Sequence, residues 1–305
     1  MSKTAAVILS MILILSILTL GWFAPPTWAW PIVILLLVGF LFVLGASITT
    51  RPLGILVNEQ NVMSLSRFQT ALWTIIVISA FVVIAIARIK HGVQPGKNGE
   101  LSDPLNIPIP NQLLMLLGIS ATALVGSPLI AATKKSKTPA GNVAQATAQE
   151  LVQTKNVPAS LTAAAQSAVQ KSEVQKSVTK NGPASSTAAA QPAVESSVVQ
   201  KSITQNAEGI LYKNPTIKDA SFSDMFEGDE IGNTAHVDLG KVQMFYFTLL
   251  VSIAYIAALW KLISDGDLYS ANFSFPTLSE GMVGLLGISN AGYLAYKGVD
   301  HTKKQ

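Results

Sequence analysis

The sequence predicts an all-α, polytopic membrane protein with about six transmembrane helices, a duplicated two-helix hairpin and a disordered cytoplasmic linker. Half of its 305 residues are hydrophobic and only 12% are charged, whereas about a quarter of the residues of a soluble domain are charged. Six apolar runs approach the roughly 20 residues needed to cross about 30 Å of hydrocarbon. These runs are residues 5–23, 30–48, 68–87, 113–132, 242–263 and 282–296.

Residues 1–50 hold the first two runs and are expected to form an N-terminal transmembrane helix pair. The first 29 residues also have features of a signal peptide, because Lys3 precedes the apolar run and small residues flank Trp28. The run is longer than the usual apolar region of about 7–15 residues, and Pro25 and Pro26 crowd the cleavage site. A retained helix is therefore favoured, with cleavage as the alternative.

Two distant stretches repeat the same pattern and predict a duplicated hairpin. LSRFQTALW (65–73) and LLGIS (116–120) belong to residues 51–137, and LGKVQMFYF (239–247) and LLGIS (285–289) belong to residues 209–305. Small and polar side chains let membrane helices approach closely and bond across helices. The candidate helix-packing residues are Gln69, Gly118, Ser120, Gln243, Gly287 and Ser289.

Residues 138–208 have the composition of a linker, since they are rich in Ala, Gln, Ser, Val, Thr and Lys and lack aromatic residues. Residues 158–181 and 183–206 form a tandem duplication with a 25-residue period, identical at 17 of 24 positions. Scattered Val and Ala offer little to bury, so a disordered or transiently helical tether is expected rather than a repeat domain.

The distribution of Lys and Arg predicts that both termini and the linker are cytoplasmic. In a six-span arrangement, ten of these residues flank the helices on the inner side and four on the outer side, and cationic loops stay in the cytoplasm. The expected location is the bacterial inner membrane. The same charges are explained by membrane topology, so no nucleic-acid partner is expected.

No catalytic or metal-binding pattern is present in the sequence. There is no Cys, and the three His residues do not have the spacing of paired metal ligands. An acidic turn is the most distinctive polar motif, either as a solvated loop or as a compact surface that binds a basic partner; it lacks the spacing of a calcium-binding EF-hand. The candidate partner-binding residues are Asp224, Glu227, Asp229, Glu230 and Asn233.

Four motifs together resemble a group of uncharacterised multi-pass bacterial membrane proteins. They are SLSRFQTALWT (64–74), GDEIGN (228–233), VDLGKVQMF (237–245) and EGMVGLLGIS (280–289). The resemblance covers both hairpins and omits the linker. It implies the membrane architecture and brings no activity, cofactor or site residue.

The expected function is therefore a non-enzymatic scaffold or anchor that lies in the lipid bilayer and presents cytoplasmic segments to a protein partner. No cofactor is expected. The alternative is a homo-oligomeric channel or passive transporter, lined by the Gly- and Ser-containing returning helices. An enzyme is disfavoured because no Ser-His-Asp or paired-carboxylate arrangement is apparent.

Overall fold

The computed structural model describes residues 2–94, 103–139, 141–153, 187–265 and 267–302. These residues form an all-helical fold, as predicted, in which extended pairing is limited to isolated bridges within the described ranges. The helices are α1 (Lys3–Phe23), α2 (Pro26–Thr49), α3 (Leu65–His91), α4 (Asn111–Lys135), α5 (Gly141–Gln153), α6 (Thr187–Asn206), α7 (Leu239–Ser264) and α8 (Glu280–Gly298).

Five of these helices, α1 to α4 and α7, are long and apolar enough to cross a membrane. Each helix contains one predicted apolar run. Except at the end of α1, every helix extends one to four residues beyond its run. The sixth predicted run lies in α8, which has 19 residues and is not among the five. A sixth transmembrane segment therefore stays a prediction.

The chain divides into two units, here called the helix unit and the polar unit. The helix unit comprises Met1–Leu56, Leu65–Val125 and Gln243–Tyr293, and the polar unit comprises Val57–Ser64, Gly126–Val242 and Leu294–Gln305. The boundary between the units falls within α4 and α7 and near the end of α8. The two units are described separately below.

Aromatic and branched side chains from α2, α3, α7 and the adjoining loops form the core of the helix unit. Trp30 is buried and donates its indole N–H to Ser79 Oγ at 3.0 Å. The rings of Trp73 and Tyr255 meet with their centroids 6.0 Å apart. Such contacts bury large apolar area and favour one arrangement of the helices.

The loops that follow α3 and α7 also meet inside the helix unit. The backbone N–H of Gln94 donates to the Tyr269 carbonyl at 2.8 Å, and that of Phe275 donates to the Pro108 carbonyl at 3.2 Å. Arg88 is fully buried beside these loops, with its guanidinium carbon 5.5 Å from the centre of the Phe273 ring.

The polar unit contains a small core that the linker composition did not predict. Helices α5 and α6 form the two ends of the predicted linker, and they pack together against the segment that follows α6. The folded part of the linker is therefore larger than expected, whereas residues 154–186 lie outside the described residues. The buried side chains of this core are Ala144, Ala148, Leu151, Val199, Ile203, Tyr212 and Ile231.

Candidate functional site

The acidic turn of the polar unit binds lysines at the ends of α4, α7 and α8. Asp229 accepts hydrogen bonds from the ammonium groups of Lys241, at the start of α7, and Lys297, at the end of α8, at 2.9 and 2.8 Å. The Lys241 ammonium also donates to the Glu227 carbonyl. Asp229 thus joins the ends of two helices through charge-assisted bonds, which are stronger than neutral ones.

Glu230, the next residue, is 1% exposed and forms an ion pair with Lys134 near the end of α4. Its second oxygen accepts the backbone N–H groups of His301 and Thr302 at 2.9 and 2.7 Å. The Lys134 ammonium also donates to the Val299 carbonyl at 2.7 Å. One buried carboxylate therefore fixes both the end of α4 and the segment that follows α8.

The turn that presents these carboxylates depends on close backbone packing. Asn233 Oδ1 accepts the backbone N–H of Glu230 at 2.9 Å, and a Cβ atom on Gly228 would lie only 2.2 Å from this oxygen. The Gly232 N–H donates to Thr302 Oγ1 at 3.2 Å. The glycines of GDEIGN thus permit approaches that larger residues would block.

Asp224 connects two segments that are distant in the sequence. Its carboxylate accepts the backbone N–H of Met63 at 3.0 Å and that of Ser221 at 2.9 Å. Nearby, Asn61 and Asn214 each donate their side-chain amide to the other's carbonyl, at 2.9 and 3.0 Å. The segments before α3 and α7 therefore bind each other.

These contacts favour a compact turn over a solvated loop, the two alternatives that the sequence left open. Asp229 and Glu230 are paired with lysines of this same chain, and Asn233 accepts the backbone N–H of Glu230. Asp224 is only partly exposed and is also held by internal donors. Glu230 and Asn233 line one small cavity together with Asp229, and Asp224, Glu227 and Asp229 line another, open one.

This open cavity is small, with an interior of about 20 Å³ that has room for about one water molecule. Its polar wall includes Tyr212, whose side chain is buried to 8% exposure, together with Glu227 and Asp224. Its apolar wall comes from Val62, Ala131 and Leu211. The full set of lining residues is Asn58, Gln60, Val62, Ala131, Leu211, Tyr212, Asp224, Glu227, Gly228, Asp229, Thr234 and Lys297.

The carboxyl groups that line the cavity differ in the direction of their pKa shifts. Burial raises the pKa of both Asp224 and Glu227, and their mutual proximity raises that of Glu227 further. Burial also raises the pKa of the Tyr212 phenol. For Asp229 burial acts in the same direction, but the charges of Lys241 and Lys297 outweigh it and lower the pKa.

The predicted helix-packing residues occupy different environments in the helix unit. Gln69, Ser120 and Ser289 are buried, whereas Gln243 is exposed. Gly118 is also exposed, and a Cβ atom there would meet nothing within 4 Å among the described residues, so helix packing at Gly118 stays a prediction.

Gly287 comes nearer to the expectation, because a Cβ atom there would lie 3.6 Å from the Ile119 side chain. This is an ordinary van der Waals distance, so α4 and α8 are neighbours without the very close backbone approach that small residues allow. The Thr70 hydroxyl also donates to the Ser120 carbonyl at 3.3 Å and joins α3 to α4.

Several buried polar atoms of the helix unit lack a hydrogen-bond partner among the described residues. Buried polar groups are normally paired, so each such group requires an explanation, for example a bound water molecule. Arg88 also belongs to this set, because its guanidinium contacts an aromatic ring instead of a polar acceptor. The others are in Gln69, Trp73, Ser120, Thr248, Tyr255, Ser289 and Asn290.

Sequence reasoning missed Tyr212, Lys134 and Lys297 as parts of this site. The two lysines were interpreted only as topological signals, because both lie far from the acidic motif in the sequence. Tyr212 follows the low-complexity linker and had no local pattern that marked it as a cavity residue.

Comparison with known proteins gives no match to a protein-family model, to a curated protein or to a solved structure.

Proposed function

We propose that the protein is a membrane-anchored scaffold or adaptor whose polar unit binds a protein partner. The observation that carries this proposal is the pairing of Asp229 and Glu230 with lysines at the ends of α4, α7 and α8. These bonds join the acidic turn to the ends of three helices, of which α4 and α7 are long and apolar enough to span a membrane. A module held in this way presents a surface of fixed shape. A rigid surface favours binding because it loses less conformational entropy when a partner binds.

The proposed location is the bacterial inner membrane, with both termini and the polar unit in the cytoplasm. The excess of Lys and Arg around the polar unit supports this orientation. The segment 57–64, the linker ends, the acidic turn and the chain after α8 all belong to this one unit. The lipid bilayer and a cytoplasmic protein are therefore the proposed partners, without nucleic acid or a cofactor.

Affinity purification of the full chain in a mild detergent tests the adaptor proposal. The partner is expected to be recovered in stoichiometric amount with the wild type and to be lost with Glu230→Gln, which leaves Lys134 unpaired and disrupts the polar unit. Glu59→Gln is the matched control, because Glu59 lies on the surface of the same unit. Equal recovery with all three chains, or no protein above an unrelated membrane bait, would contradict the proposal.

A channel or passive transporter is the second candidate, and the unpaired polar atoms in the helix unit favour it. Gln69, Ser120 and Ser289 are buried without partners among the described residues, and water molecules or a polar solute would satisfy such groups. Purified protein in liposomes is the test. Selective solute flux that Ser120→Leu or Ser289→Leu abolishes would favour the channel over the adaptor.

A further inference from the structure

We propose that the two copies of the tandem duplication compete for one groove in the polar unit, so that the first copy can take the place of the second. The second copy, residues 183–206, includes α6, which fills this groove. The first copy, residues 158–181, lies outside the described residues. The inference goes beyond the adaptor proposal and does not depend on it.

The groove is formed by α5 and by two side chains of the segment that follows α6. The α5 side chains are spaced by four and three residues and therefore lie on one face of the helix. Helix α6 packs against them through Val199 and Ile203, which are 0% and 2% exposed. The side chains that form the groove are Ala144, Ala148, Leu151, Tyr212 and Ile231.

The duplication preserves the residues that enter the groove. With the period of 25 residues, Val199 of the second copy corresponds to Val174 of the first, and Ile203 corresponds to Val178. The two buried positions of α6 therefore have β-branched counterparts that differ from them in total by a single methylene group. Since tertiary packing supplies most of the stability of such helices, two copies with the same buried pattern fit the same groove.

Hydrogen bonds within α6 are preserved as well. Asn206 donates its side-chain amide to the Ser202 carbonyl at 2.8 Å, and the Thr204 hydroxyl donates to the Gln200 carbonyl at 2.9 Å. All four residue types recur 25 positions earlier, in the first copy. Between residues 196 and 206, the other differences between the copies lie at positions that are not buried in α6, namely Ser196, Val198 and Gln205.

Two differences between the copies act in opposite directions. Ile203 buries one methylene group more than Val178, which favours the second copy about fivefold. Pro192 lies inside α6, whereas the first copy has Ser167 at the equivalent position. Proline lacks a backbone N–H and disfavours a helix interior, so this difference favours the first copy. The opposing effects limit the preference of the groove for either copy.

The chain is long enough for the exchange. With the first copy in the groove, Thr162 takes the place of Thr187, the first residue of α6, and residues 154–161 connect it to the end of α5. These eight residues span up to about 26 Å, whereas α5, with 13 residues, is only about 20 Å long. The connection therefore reaches either end of α5.

Hydrogen exchange of the full chain in detergent, followed by mass spectrometry of peptides, measures which copy is docked, since the two copies differ in sequence. The first variant exchanges the buried methylene group between the copies, by Ile203→Val with Val178→Ile. We expect the ratio of protection in residues 162–181 to protection in residues 187–206 to rise about 25-fold, because each methylene group contributes about fivefold.

The matched control for this variant is Gln205→Lys with Lys180→Gln. It exchanges the residues of the two copies at a position that is exposed in α6, so the protection ratio should stay as in the wild type. Both variants keep the composition of the chain, and the substitutions are small enough to preserve the fold. A methylene exchange that changes the ratio no more than this control does would overturn the inference.

Serine substitutions test whether the first copy also supports α5. Val199→Ser with Ile203→Ser weakens the second copy, so residues 162–181 should gain protection while α5 stays protected. Adding Val174→Ser and Val178→Ser should then lower the protection of α5 at least about tenfold further.

Equal loss of α5 protection in the two serine chains would overturn the inference, because the first copy would then contribute nothing to the groove. Protection of residues 162–181 that disappears on about tenfold dilution of the chain would also overturn it, because the groove would then be filled by a second chain instead of by the first copy of the same chain.

Discussion

Glu230 and Lys134 form the least exposed ion pair described in the protein, with side-chain exposures of 1% and 3%. Removing both charges from water costs several kcal/mol per ion, and the pair offsets this cost only when its remaining hydrogen-bonding positions are filled. Here Val299 accepts a further hydrogen bond from Lys134, and His301 and Thr302 donate to Glu230. Because both groups are buried, the loss of one partner is more damaging than the absence of both.

Glu230→Gln is expected to destabilise the polar unit by about 3–5 kcal/mol, because it leaves the buried Lys134 charge unpaired. Glu59→Gln, which removes an exposed partner of Lys135, should change stability by less than about 1 kcal/mol. Hydrogen exchange of peptides from residues 207–238 measures the difference. The double variant Lys134→Met with Glu230→Gln should recover part of the loss; no recovery would contradict the charge-burial explanation.

Glu227 is expected to make the polar unit more stable in acid than at neutral pH. Burial raises its folded-state pKa above the ordinary value of 4.5. The folded state therefore favours the protonated carboxyl, and the stability that this provides is complete below pH 4.5 and lost as the pH rises through the raised pKa. Glu227→Gln should then stabilise the protein at pH 7.

Melting temperatures of the wild type and Glu227→Gln across pH 4 to 8 check this sign. The advantage of the variant should shrink as the pH falls towards 4.5, where the wild-type carboxyl is also neutral. Asp229→Asn should behave in the opposite way, with a loss at pH 7, because lysine partners lower its pKa. A variant Glu227→Gln less stable than the wild type at pH 7 would show that this carboxylate has an undetected cationic partner.

At the scale of elements, the turn after α6 closes the end of α4. The Ile210 N–H donates to the carbonyl of Lys134 at 3.3 Å, which satisfies one of the carbonyls left without a partner at a helix end. Gly209 makes this approach with a φ of +66°. A Cβ atom there would lie 2.3 Å from the Lys134 oxygen, so both backbone conformation and space require glycine.

Gly209→Ala is expected to destabilise the polar unit by at least about 2 kcal/mol more than Gly92→Ala. Both glycines have a positive φ, and alanine is strained at each, but a Cβ atom on Gly92 meets nothing within 4 Å. The comparison therefore isolates the collision with α4. Thermal unfolding of the two variants measures it, and equal losses would mean that conformational strain alone accounts for the effect.

The helices of this fold were largely predictable, because long apolar runs have few alternatives to helix in a membrane. The packing of α5 and α6 was not, since their small side chains gain enough burial only beside Tyr212 and Ile231. The burial of Gln69 and the exposure of Gln243 could not be predicted either, because similar local sequences do not determine which helices pack against each other. The acidic motif was recognised, but its lysine partners depend on tertiary structure.

For the whole molecule, the distribution of charge links membrane orientation to the fold of the polar unit. In the proposed orientation, lysines near helix ends hold the adjoining loops in the cytoplasm, and Lys134, Lys241 and Lys297 also bind the acidic turn. We therefore propose that the same residues act both in membrane topology and in tertiary structure.

The orientation itself is testable by cysteine labelling, because the natural chain contains no Cys. Ser223 and Asn106 are both exposed and lie in the polar unit and the helix unit, respectively. With a membrane-impermeant maleimide, Ser223→Cys should react only after the inner membrane is opened, whereas Asn106→Cys should react in intact spheroplasts, because positively charged loops remain inside. Denatured samples of both variants control for thiol reactivity. Labelling of Ser223→Cys in intact spheroplasts would reverse the orientation and place the proposed partner-binding unit outside the cytoplasm.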